Sequence, residues 1–509
     1  MQQRGPASAV SLISARTWNK PASLTGPTWK KCSIQVTCTG AGRGPGSRNL
    51  APGRLRAVGY SREAVQYSPP VPIQIPPMNN TTIIPQSTYR LQLTPSFTFT
   101  HVREVLPYLK SLGISHIYAS PVTRPCHGSL HGYDVCDPRE VNPELGTRDE
   151  LVSLLEEIRG SGMGWIQDIV PNHMAYSAEN PLLMDVLEHG RASRYFDFFD
   201  IQWEHMHPSM HRRILAPFLG KPLGECLAGS EISLRYENKR LVLAYYEKRF
   251  PVRPESYFEI FSRSMHRLRS HTGIGESDYI RFAGVLYTLH NLDDTRDLQE
   301  RYGQSAMSLQ VFHDLYKRCE PVRSYIDRTL AEYTGVHDAG NQDLRQLLDH
   351  QHYRLCYWRV ASEEINYRRF FTLNGLIAVH AEKEHVFDTT HALYFDLAGQ
   401  KLIDGLRIDH IDGLFDPFAY LKRIRSRFPE LYIVVEKILD HEECLPASWP
   451  VQGDTGYQFL NRLNGIFCNQ AHVRDMSAIY NRFIGRKIIP AELQVNRKRL
   501  ILHKHMVGD

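Results

Sequence analysis

The chain has no apolar run approaching the roughly 20 residues that a bilayer-spanning helix needs, so no membrane partner is expected. It has no CxxC pair. Its nine cysteines are scattered, which argues against a tight metal site or a disulfide framework. That usage reads as free thiols in a reducing compartment. It has no long Lys/Arg tract: 60 basic side chains face 55 acidic ones, for a formal net charge of +5. A nucleic-acid partner is therefore not expected. His127, His131, His173 and His410 are too loosely spaced for a zinc site. No loop carries the regularly spaced oxygen ligands of a calcium site. No metal and no other cofactor is called for.

Residues 1–77 lack acidic side chains except Glu63, and they lack sustained periodicity. They are rich in Gly, Pro, Ser and Arg, a composition that cannot bury enough surface to order itself. They read as a disordered segment, as an organelle transit segment, or as residues upstream of a true start at Met78. The compact apolar run of a secretory signal is absent. A cytoplasmic location is expected, with an organelle as the alternative if this segment is a transit peptide.

The rest of the chain can build a core, since 42% of the sequence is apolar. Thr88–Leu93 alternates as a strand. Phe99–Leu112 has helical spacing at Val102, Val105, Leu106 and Leu109, and Gly113 stops it. Ile114–Ala119 is a second strand. Thr147 caps a helix over 148–159, with Glu150 placed for a capping box. Trp165–Val170 is a third strand. Alternation then stops until Leu402, too long a gap for one connection. Within it, Glu231–Tyr246 reads as a hairpin, and Leu309 onward and Leu344–Ile365 read as helical. Strands return at 402–408 and 431–436, with a helix over 417–427 between them. Strand, helix and strand at short spacing predict a parallel sheet with right-handed crossovers. The expected fold is α/β, a TIM-type (β/α)8 barrel that is incomplete, with large inserted helical subdomains. The expected division is 78–173 for the first part of the barrel, 174–400 for inserted subdomains and connecting helices, and 401–509 for its continuation.

Two strands end in charge. Gly405-Leu-Arg-Ile-Asp409 and Ile433-Val-Val-Glu436 place Asp409 and Glu436 where barrel strands present chemistry. Unpaired buried charge is costly, so stability alone does not explain them. Two carboxylates facing one cleft are the minimum equipment for a glycosidic bond: one attacks the anomeric carbon or activates water, the other protonates the leaving oxygen. Arg407 lies two residues before Asp409, on the same strand face, and can hold it ionised. Asp168 is flanked by apolar residues and needs a partner, for which Arg407 is a candidate. His173 can donate to a sugar hydroxyl. Tyr133 can stack under a sugar ring, and Asp134 can support a neighbouring Arg or His. The bland alternatives are an Arg–Asp pair closing a barrel end, a strand cap at Asn172-His173, and a solvent-facing Tyr-Asp turn. Asp404, Asp412 and Asp416 read as partly structural. Tyr353–Trp358 and Asn366–Phe371 are aromatic-basic runs that line a sugar subsite or pack in a core.

Asp168-Ile-Val-Pro-Asn-His173, Gly405–Asp409 and Val434-Val-Glu436 resemble three of the four signature segments of the α-amylase superfamily of glycoside hydrolases. Thr88–Leu93, His131-Gly-Tyr-Asp-Val135, Gln351–Leu355, Glu364–Phe370, Asp404–Asp416 and Val435–Leu439 are similar, in order, to its maltooligosyltrehalose synthase family. The resemblance covers roughly 88–480. It implies intramolecular transglycosylation, formally an isomerase reaction. The reducing-end α-1,4 linkage of a maltooligosaccharide becomes an α,α-1,1 linkage, leaving a trehalose unit at the chain end. It implies Asp409 as nucleophile and Glu436 as general acid/base. Tyr133, Asp134, Asp168, His173, Arg407 and His410 take substrate-side or supporting positions. The implied partners are maltooligosaccharides or other α-1,4-glucans, with functional coupling to a trehalose-releasing hydrolase.

The chain departs from the family pattern in places. Asp454 stands where Thr is usual, Gln458 where Asp is usual, and Ile411 where Pro is common. The segment that carries the superfamily's third carboxylate is expected beyond Asp509, so the chain reads as truncated, with little or no activity expected by itself. Alternatives are an α-glucan hydrolase or glucanotransferase of the same superfamily, or a glucan-binding remnant without catalysis.

Overall fold

The computed structural model describes residues 82–508, apart from 271–272, 335–337 and 441–442. The expectation for residues 1–77 lies outside them. Six strands form one open parallel sheet in which spatial order follows chain order. They are Thr88–Leu91, His116–Ala119, Gly164–Ile169, Gly405–Ile408, Tyr432–Val435 and Gly453–Asp454. This is the strand sequence of a (β/α)8 barrel, left open. The strands are short and their inner residues apolar, because helices cover the outer face. Ile117, Trp165, Ile169, Leu406, Ile408, Ile433 and Val435 are all buried.

The covering helices start and stop where local chemistry directs. Phe99–Ser111 buries Phe99, Val102, Leu106 and Leu109. Arg148–Gly160 opens on Thr147, whose hydroxyl accepts from the Glu150 N–H, while Glu150 accepts from the Thr147 N–H at 2.7 Å. Two amides that a helix start leaves unpaired are thereby satisfied. Pro417–Arg427 is capped by Asp416, which accepts from the Ala419 N–H at 2.9 Å. Asp404 closes the opposite end of the sheet, accepting from the Trp165 N–H at 2.8 Å.

Between Ile169 and Gly405 the chain builds a second hydrophobic cluster around Phe261, Phe282 and Phe312. Helices Glu276–His290, Leu298–Arg318 and Glu320–Thr334 carry much of it. The hairpin expected at Glu231–Tyr246 is there, and Lys248–Pro251 extends it to three antiparallel strands. Leu344–Ile365 is not helical throughout. Its helix ends at Asp349, and Tyr353–Tyr357 runs parallel to Ile214–Leu219. Tyr353 and Leu355 are buried on that strand, so packing overrides the local pattern.

Candidate active site

Register places the charged groups. Arg407 sits opposite Asp168 on the adjacent strand. Asp409 and Glu436 follow directly on their strands, and each still donates its own N–H across the sheet: Asp409 to Ile169 O at 2.9 Å, Glu436 to Ile408 O at 2.8 Å. The two carboxylates are therefore anchored by backbone pairing rather than by a loose loop.

One guanidinium joins three carboxylates. Arg407 Nη1 donates to Asp168 Oδ1 at 2.8 Å and to Asp409 Oδ1 at 2.7 Å. Its Nη2 lies 2.9 Å from Glu436 Oε1. The Arg407 and Asp409 side chains are each only 8% exposed, so solvent screens little of this interaction. Glu436 Oε1 also accepts from the Tyr457 hydroxyl at 2.9 Å, and its Oε2 accepts from the His410 N–H at 3.0 Å. Asp168 is fully buried. Its Oδ2 accepts from the hydroxyls of Tyr118 and Tyr133, at 2.8 and 2.6 Å. Arg90 donates to the Tyr133 hydroxyl at 2.9 Å and lies 3.8 Å from Asp168.

These contacts set the resting proton. Burial pushes the Asp409 carboxyl up to about 7; Arg407 opposes that, while Asp168 and Glu436 add to it. Burial also acts on Glu436, but Arg407, the His410 amide, Tyr457 and Asp409 outweigh it and hold Glu436 below the usual range. Asp409 is thus pushed toward its protonated form and Glu436 toward its ionised form. The two carboxylates sit on the two terminal nitrogens of one guanidinium.

Known proteins resemble this chain in sequence and fold. Residues 97–219 match the family model for the alpha amylase catalytic domain. A Mycobacterium tuberculosis protein named for maltooligosyl trehalose synthase is 32% identical over 402 residues, covering 77% of this chain and 40% of its own length. The maltooligosyltrehalose synthase of Arthrobacter ramosus superposes with a TM-score of 0.60 at 31% identity, over 82% of this chain and 43% of that one. The corresponding Sulfolobus tokodaii structure gives 0.58 at 32%, over 83% and 44%. The chain belongs to the maltooligosyltrehalose synthase family. It spans less than half the length of these relatives.

Other positions that resemble the synthase family fall into place around this centre, though not all reach it. His173 is buried, and burial, with His410 and Arg368 nearby, lowers its pKa to about 3. It is a neutral imidazole, and its buried Nε2 makes no hydrogen bond of normal geometry. The His173 ring packs on Phe370 at 4.5 Å, and the His410 ring packs on the same residue at 4.7 Å. His410 itself has a left-handed backbone (φ 46°), which aims its N–H at Glu436. Gly413 permits the tight turn that follows, because a Cβ there would lie 2.3 Å from His410 Cδ2 and 2.5 Å from Asn172 Oδ1. Asp134 does not reach the carboxylates. It accepts from the Ser129 hydroxyl at 2.5 Å and pairs with His131 at 3.6 Å, bracing its own loop. The two departures at 454 and 458 meet each other: the Gln458 amide donates to both Asp454 oxygens, at 3.0 and 2.9 Å.

Sequence reasoning missed Tyr118, Arg90, Tyr457 and Arg368. Tyr118 and Arg90 are register partners on adjacent strands, a relation that neither strand's own sequence displays. Arg368 donates to Asn172 Oδ1 at 2.7 Å and to Gly413 O at 2.6 Å, tying the turns of two signature segments together. Of the two aromatic-basic runs, Asn366–Phe371 reaches the site through Phe370 and Phe371. In Tyr353–Trp358, Tyr353 is fully buried and donates to Pro251 O at 3.0 Å, a core role. The thiols of Cys126, Cys136, Cys226, Cys319, Cys356 and Cys468 are free, whereas Cys444 is disulfide-bonded.

Proposed function

We propose that this chain carries the double-displacement centre of an intramolecular transglycosylase acting on the reducing end of α-1,4-glucans. The observation that carries the reading is the pair of carboxylates, Asp409 and Glu436, held together on Arg407 at the ends of adjacent strands. Glu436 protonates the bridging oxygen while Asp409 attacks the anomeric carbon and forms a glycosyl ester. For this the shared proton moves to Glu436 and the negative charge to Asp409, which Arg407 is placed to stabilise. The released glucose turns within the site. Glu436 then takes the proton from its anomeric hydroxyl, and that oxygen displaces Asp409. The new bond is α,α-1,1. Water is the rival nucleophile, and only the high effective concentration of a held glucose lets it win.

Tyr133, Asp168, His173, Arg407 and His410 serve as substrate-side or supporting groups, with Asp134 acting through its loop. We divide the chain by role into 78–173 and 401–509, which frame the carboxylates, and 174–400, which walls the acceptor pocket. Two separate hydrophobic clusters support that division. The product has no reducing end, so it suits a hydrolase that releases trehalose from it.

Maltopentaose incubated with an equimolar amount of the chain tests this. Reducing ends should fall without release of free glucose, and Asp409→Asn should stop the change. A rise in reducing ends would instead mark a hydrolase.

A further inference from the structure

The hairpin that bears Tyr133 is pinned at its base by two cysteines. Cys126 follows the strand Thr123–Pro125, and Cys136 lies in Val135–Val141. Their Sγ atoms are 3.2 Å apart, although ten residues separate them in sequence. A disulfide requires an approach of only about 1 Å more. Cross-strand pairing holds the two together, since Pro125 is the register partner of Val135 and the Cys126 N–H donates to Asp134 O at 3.1 Å. Access differs: Cys126 is partly exposed and Cys136 is buried. We propose that Cys126 and Cys136 form a reversible disulfide with low-molecular-weight disulfides, and that this bond tethers the Tyr133 loop over Asp168.

The chemistry balances as thiol–disulfide exchange. The Cys126 thiolate attacks one sulfur of glutathione disulfide, forms a mixed disulfide and expels one glutathione thiolate. The Cys136 thiol gives up its proton and attacks Cys126 Sγ, expelling the second. Two protein thiols are oxidised, one glutathione disulfide is reduced to two glutathiones, and the two protons end on the departing thiolates. The environment suits this order. The hydrogen bond from Cys136 lowers the Cys126 pKa, and the same bond with burial raises that of Cys136. A partly exposed, acidified thiol beside a buried one is an attacking and resolving arrangement.

The bond would close a ring around Tyr133. In the reduced hairpin, Glu179 and Glu144 already hold the loop by accepting from the N–H groups of His127 and Gly128, each at 2.9 Å. Oxidation adds a covalent clamp at its base. This inference does not depend on the proposed reaction, because its readout is the state of the two sulfurs.

The full chain is equilibrated with excess glutathione disulfide, blocked with N-ethylmaleimide, digested and mapped by mass spectrometry. The expected product joins the Cys126 and Cys136 peptides with loss of two hydrogens, and dithiothreitol reverses it. In C136S, glutathione should remain on Cys126; in C126S, Cys136 should stay unmodified in the folded protein. Chymotryptic cleavage at Leu130 and Tyr133 should slow by on the order of tenfold in the oxidised form. Both thiols remaining fully alkylatable in the wild-type chain would overturn the proposal, and so would an unmodified Cys126 in C136S. Unchanged cleavage would overturn the loop tether.

Discussion

At the scale of single residues, the proposed mechanism depends on one proton shared by two carboxylates, with the singly protonated pair as its competent form. The pair gains a second proton only below the ordinary glutamate range, and it loses its one proton as pH rises through about 7. kcat/KM on maltopentaose should therefore fall above that value; a profile flat to pH 9 would contradict the shared proton. Glu436→Gln removes the proton donor and should cost about 10²- to 10⁴-fold in turnover. Tyr457→Phe deletes one donor to the Glu436 anion, so Glu436 should hold a proton more readily and the profile should shift. Stability follows a separate rule. Native Asp409 titrates at about 7, whereas an unfolded Asp titrates near 3.9. The native state thus binds the extra proton between these values. The stability this proton contributes is complete below the lower value and lost as pH rises through the upper one, up to about 4 kcal/mol before the opposite shift of Glu436 offsets part of it. Asp409→Asn should raise the melting temperature more at pH 8 than at pH 5. Equal changes at both values would show that Asp409 is not held protonated.

At the scale of elements, caps and turns place these groups. Thr147 and Glu150 satisfy each other's backbone amides at the start of Arg148–Gly160. Thr147→Ala should cost about 1 kcal/mol in chemical denaturation. Adding Glu150→Ala should cost less than the sum of the two single changes, because the box works as a unit. Gly413 is a stronger constraint. Gly413→Ala would drive a methyl into His410 and Asn172. The His410 N–H would then leave Glu436, so turnover should drop far more than helix content by circular dichroism. A full loss of folded signal would point to a structural role alone.

At the scale of the whole molecule, apolar surface is unevenly distributed. Helices Tyr457–Gly465, Val473–Phe483 and Pro490–His505 bury no residue among themselves or against the sheet. Ile466, Phe467 and Phe483 are 76%, 84% and 87% exposed. Apolar residues exposed in such a group favour association. Light scattering after size exclusion should show mass rising with protein concentration, and Phe467→Glu with Phe483→Glu should suppress it. A constant monomer mass in the unaltered chain would refute this.

Much of this was legible without coordinates because it is local. The strands near 88, 114, 165, 402 and 431 follow from period and breakers, and Thr147 and Gly113 mark helix ends through their own chemistry. Asp409 and Glu436 stood out as charge on apolar strands. What the sequence could not show are relations between distant segments. Tyr353–Tyr357 became a strand because Ile214–Leu219 offered a partner. Tyr457 and Arg90 entered the site from segments whose own spacing carries no chemistry. The resting proton on Asp409 depends on how deeply it is buried and on Arg407 being shared with Asp168 and Glu436, and both are settled by strand register. Sequence alone determined most of the barrel strands and singled out the two candidate carboxylates, because short-range pattern encodes them. Tertiary structure alone decided their charge states and their supporting contacts, because those depend on burial and distance across the sheet.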